Sequence, residues 1–179
     1  MIAGRGGGVI WRTSRRSFFR RAMDHRELNG EWQRVRGVVR AGHRVASGTG
    51  ADRRYPAGTL RMQRPFFLER GLDLAPFFEG TLNVDIAPRS FALAKPAHTF
   101  RRVTWTDLHP PEDFSFSRCR VGHGGVEYAG WVYTPHPETK AAHFQPPAML
   151  EILVPWVEGV RYGDTVEVWV PAEEIVITG

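Results

Sequence analysis

Two residues of Glu79–Ile86, EGTLNVDI, carry side-chain oxygens at a telling spacing. Thr81 and Asn83 lie two positions apart in an alternating run, so a strand places both on one face. Adjacent oxygen donors suit a hard cation such as magnesium, which takes few protein ligands and keeps water or phosphate oxygens for the rest. The same pair equally suits a strand start with no ligand at all. A second candidate is Glu151, within AMLEILVP. A carboxylate buried in an apolar run needs a partner, and one beside a hydroxyl can take its proton. Alternation also permits an edge-strand glutamate turned to solvent. A third candidate is VASGTG, Val45–Gly50. Its glycines would let backbone N–H groups approach phosphate. No Gly-Lys-Ser/Thr follows, so it is not a Walker loop, and a plain glycine turn reads the same way.

The other chemistry-bearing residues form no pattern. His98, His109, His123 and His136 are scattered without a metal-ligand spacing and read as surface or loop residues. The single cysteine, Cys119, excludes a disulfide framework and a multi-cysteine zinc site, and reads as a small buried side chain. No Ser-His-Asp arrangement is legible.

These residues must be held by a body of modest size. The chain has 179 residues, 42% of them hydrophobic, enough for one domain with a core. No apolar run approaches the roughly 18 residues that span a membrane. The net charge of +5 is unevenly placed. Residues 1–22 hold six arginines and no acid, which leaves 18 basic residues against 19 acidic ones from Met23 onward. The body is near neutral, so the basic signal does not describe a nucleic-acid-binding domain. Residues 1–27 read as a basic, disordered extension, with Met23 an alternative start, and 28–179 as the domain. The extension lacks the apolar core of a secretory signal.

From Leu28 the pattern is mostly β. GEWQRVRGVVRAGH alternates through Trp32, Val35 and Val38–Val39, and RVASGTG reads as a short strand and turn. LRMQRPFFLERGLDLAPF is the best helix, with Gly71 able to end it. Strands are predicted at Leu82–Ile86 and near Phe100–Trp105. FSFSRCRV and VEYAGWVY read as a hairpin through a Gly-rich turn. AMLEILVPW reads as a buried strand, RYGDTVEVWV as a turn and strand, and EEIVI as a closing strand. Short strands, turn signals and one or two short helices predict a mainly β, single-domain small barrel.

Four blocks taken together carry a resemblance: RVASGTG, EGTLNVDI, HFQPPAMLEILVP (His143–Pro155) and YGDTVEV (Tyr162–Val168). In this order and spacing, over about residues 34–170, the chain resembles the archaeal CTP-dependent riboflavin kinases. The resemblance implies a six-stranded β-barrel of the cradle-loop type that phosphorylates riboflavin to FMN with CTP and magnesium. Residue by residue, it implies magnesium on Thr81 and Asn83. It implies the nucleotide on Arg44, Val45, Ala46, Ser47, Gly48, Thr49 and Gly50, with Trp156 and Val157. It implies the flavin on Glu151, which could also act as base, and on His143, which stands where the family has a threonine.

The sequence departs from the family in two further places. Ala51-Asp52-Arg53 replaces the family's Gly-Glu-Gly, and Glu158 stands where positive charge is usual. These departures motivate an alternative, a barrel of the same fold that binds a flavin or nucleotide without catalysis. A third reading has the Arg-rich arm bind DNA. The partners expected are riboflavin/FMN and CTP/CDP, with no membrane and no nucleic acid, in a cytoplasmic monomer.

Overall fold

The computed structural model describes residues 30–42, 58–140 and 145–179. The basic extension, the segment holding Arg44–Gly50, and His143 lie outside these residues. The described chain is mainly β: nine strands and one helix. They are β1 (Trp32–Arg40), α1 (Thr59–Leu68), β2 (Leu82–Asp85), β3 (Ser90–Leu93), β4 (His98–Val103), β5 (Glu112–His123), β6 (Val126–Pro135), β7 (Met149–Leu153), β8 (Thr165–Pro171) and β9 (Ile175–Thr178). No described helix is long and apolar enough to cross a membrane.

Alternation in the sequence explains why the strands close on themselves. Inward positions are Val35 and Val39 on β1, Val84 on β2, Cys119 and Val121 on β5, Val132 on β6, Leu150 and Ile152 on β7, and Val166, Val168 and Val170 on β8. All are almost fully buried and form one core. Burying such a side chain is worth about 1.5–3 kcal/mol, and a sheet curled into a ring turns one face of all six strands to a shared interior. The antiparallel order β5-β6-β7-β2-β1-β8 returns to β5 through a β5–β8 pairing, so six strands form a closed ring. The hairpin turn is Gly124-Gly125, with φ of 56° and 76°, between the paired His123 and Val126. Two consecutive positive φ angles are what a two-residue type I′ connection needs.

A second core lies outside the ring. Leu60 and Phe67 of α1, with Leu72 and Leu74, cover Val103, Trp105, Phe114, Phe116, Tyr133 and Leu153. Phe67 meets Phe114 and Phe116 edge-on at 5.2 and 4.9 Å. Strand β5 is therefore buried on both faces along its first half.

Most predicted elements are present, with shifted bounds. The helix starts at Thr59 and ends at Leu68, and Gly71, at φ 90°, closes the turn beyond it. The strand predicted near Phe100–Trp105 runs from His98 to Val103. Strand β3 was not anticipated. It is four residues long and pairs with β9 as a separate two-stranded sheet, packing Phe91, Leu93 and Ile177 against the ring's interior. Two histidines are not simple surface residues. His98 is half-buried between Phe100 and Trp131, and His136 Nε2 lies 2.8 Å from the buried Ser115 hydroxyl.

Candidate functional site

Strand β2 runs between β1 and β7. Asn83 stands opposite Arg40 on one side and Glu151 on the other. Because Val84, Val39 and Leu150 point into the ring, Asn83, Arg40 and Glu151 share its outer face. Thr81, just ahead of β2, donates its hydroxyl to Asn83 Oδ1 at 3.3 Å. Asn83 is only 7% exposed. Part of its cover is Gly42, where an added Cβ would fall 2.0 Å from Asn83 Nδ2. Only glycine permits that approach. The amide nitrogen thus faces Gly42 while the amide oxygen faces the Thr81 hydroxyl.

Glu151 is not an edge-strand residue, because β7 is paired on both sides, with β2 and β6. Its side chain is 14% exposed. Gln145 Nε2 donates to its Oε1 at 3.1 Å, and Lys140 Nζ lies 3.9 Å from its Oε2. The β6–β7 register pairs Val132 with Ile152 and so carries Tyr133 alongside Glu151. Tyr133 donates its hydroxyl to Gln63 Oε1, on α1, at 2.9 Å. Burial, then the carboxylates of Glu151 and Glu112, push the phenol well above its usual range. Tyr133 therefore stays protonated and acts as a donor. A polar strip crosses four strands here, from Arg40, which pairs with Asp85, through Asn83 and Glu151 to Tyr133.

Thr81, Asn83 and Glu151, singled out in the sequence, are brought together. Trp156 is not in this strip. It is 70% exposed and meets Phe78 edge-on at 5.3 Å, beside the backbone bond from Phe78 N–H to Val154 O. The Val157 side chain is buried among the ring valines. Arg44–Gly50 and His143 lie outside the described residues.

Six residues at the site were not singled out: Arg40, Gly42, Gln63, Tyr133, Lys140 and Gln145. Two left a trace in the sequence. Gln63 sits on the buried stripe of α1, between Leu60 and Phe67, where an amide needs a buried partner. Lys140 is one of two lysines in a chain with 22 arginines.

The donor set fits a hard cation: two neutral oxygens 3.3 Å apart on one face, with a carboxylate on the next strand. Among the described residues no group of three His, Cys, Asp or Glu could hold a metal, so any such ion would rest on neutral oxygens and on its own ligands. No family model and no curated protein matches the chain.

Proposed function

We propose that this protein is a riboflavin-kinase-like phosphotransferase, moving a phosphoryl group from CTP or another nucleoside triphosphate to riboflavin. The observation that carries this reading is the pairing of Asn83 with Glu151. Residues remote in the sequence, chosen for separate chemical reasons, are cross-strand neighbours, with Thr81 touching Asn83. The closed six-stranded ring is what a barrel of the cradle-loop type requires, and we read it as one.

Phosphoryl transfer asks for position and charge neutralisation more than for covalent help. Thr81 and Asn83 would hold magnesium, which when bound offsets charge on the donor's phosphates. Glu151 orients the flavin's terminal ribityl hydroxyl and accepts its proton. That oxygen bonds to the γ-phosphorus. The bond from phosphorus to the bridging oxygen breaks, and its electron pair leaves with the nucleoside diphosphate. Tyr133, kept protonated beside Glu151, is held to α1 through Gln63.

The test is chromatography of the protein incubated with riboflavin, magnesium and each nucleoside triphosphate in turn. FMN should form, and Thr81→Ala should abolish it. No FMN with any triphosphate, with ligand binding indifferent to Thr81→Ala, overturns the reading. A second reading has its own support. Gln145 and Lys140 already engage the two oxygens of Glu151, which suits a residue that binds a ligand rather than one that takes a proton. In that case riboflavin or a nucleotide raises the melting temperature without turnover.

A further inference from the structure

Lys140 stands apart from the chain's other cations. The second lysine, Lys95, is exposed, and every other ion pair among the described residues is made by arginine or histidine. The Lys140 side chain is 15% exposed and faces a Glu151 side chain that is 14% exposed. Its backbone is pinned. The N–H groups of Thr139 and Lys140 both donate to His136 O, at 3.1 and 2.9 Å. The Thr139 hydroxyl accepts the Asp113 N–H at 2.8 Å. A lysine so held is not a solvated surface charge. Yet its ammonium is 3.9 Å from the carboxylate oxygen, beyond hydrogen-bond reach. The pair bears the cost of desolvation without the geometry that best repays it. Lysine's compact ammonium can turn its three donors to a better acceptor.

We infer that Lys140 is a phosphate-binding residue, shifting from Glu151 to the phosphoryl oxygens once the group lies on the flavin hydroxyl. This rests on the phosphotransfer reading above and assigns a residue to its product side. A phosphate monoester carries up to two negative charges and three strong acceptors, so it outcompetes one carboxylate for the ammonium. The place fits this role: Lys140 approaches Glu151 from the loop after β6, while Asn83 lies beyond it on β2 with Thr81 just ahead of that strand.

The test compares two flavins that differ only by the phosphate. Riboflavin and FMN are titrated against the full chain by flavin fluorescence, for wild type, Lys140→Met and Lys140→Arg, with circular dichroism confirming the fold. Lys140→Met should weaken FMN about tenfold or more, the usual loss for a charge-assisted bond, and leave riboflavin within about twofold. Lys140→Arg should restore most of the FMN affinity. Equal weakening of both flavins marks a structural lysine and overturns the inference, as does unchanged FMN affinity. Should Lys140→Met not fold, Lys140→Gln decides instead: the inference stands if FMN weakens and riboflavin does not, and fails if both flavins weaken together or FMN affinity is unchanged. Wild-type protein that binds neither flavin removes the phosphotransfer reading and this inference with it. Wild-type protein that binds both equally removes only the inference.

Discussion

Two glutamates, Glu174 and Glu151, are both covered and both paired, yet they are held differently. Glu174, just ahead of β9, is 2% exposed. It accepts the backbone N–H of Arg118 at 2.6 Å, and the Arg118 guanidinium bonds its other oxygen. Arg118 also reaches Glu173 at 2.9 Å, so one cation fastens two acids to β5. Glu151 instead meets an amide and a lysine beyond hydrogen-bond reach. The first arrangement is saturated and rigid. The second is satisfied but exchangeable. A site that must accept a ligand resembles the second, because the Gln145 amide and the Lys140 ammonium can each be traded for a group on that ligand.

The comparison can be broken by removing each carboxylate. Glu174→Ala leaves Arg118 without its main partner and should cost about 3–5 kcal/mol of folding stability, measured by urea denaturation, with flavin affinity of the folded fraction unchanged. Glu151→Gln should lower kcat/KM for FMN formation about 100-fold, near 2.7 kcal/mol of barrier, while the denaturation midpoint moves little. If the two effects are exchanged, the contrast is wrong. Gly42→Ala sharpens the same point. The added methyl must displace the Asn83 amide, at about 1–3 kcal/mol of strain, and activity should fall with it.

Two smaller effects lie on the Glu174 side and in the ring. Burial lowers the His98 pKa below its usual value, against the opposing charge of Glu174. The unfolded chain then takes up the proton first as pH falls. The stability from neutral His98 is present above about pH 6.5 and is lost as pH drops through the lower folded value. Melting temperature should decline below pH 6.5, and His98→Phe should flatten that slope. The Ser117 hydroxyl is buried without a hydrogen-bond partner among the described residues. Ser117→Ala should therefore be neutral or gain up to about 1 kcal/mol, read from the denaturation midpoint.

Local chemistry was legible in the sequence, and partnership was not. Alternation exposes β1, β2, β5, β6, β7 and β8, because each has one face in the ring core. The shared face of Thr81 and Asn83 follows from a spacing of two residues. Strand β3 was missed because Ser-Phe-Ala-Leu is short and half-exposed, and its partner β9 lies at the far end of the chain. Nothing local says that Asn83 faces Glu151, or that loop residues Lys140 and Gln145 converge on that carboxylate. Register across remote strands decides both. Gly42 reads as a turn glycine until the Asn83 amide is seen against it.

The closure of β8 on both β1 and β5 also governs when this protein can fold. Strand β1 pairs with β2 on one edge and with β8 on the other, so its second edge stays bare until the last stretch of chain leaves the ribosome. Such long-range pairing is slow to form, and an open strand edge invites pairing with other chains meanwhile. A nascent chain halted before Thr165 would carry every residue of the polar strip and still lack a ring to mount it on.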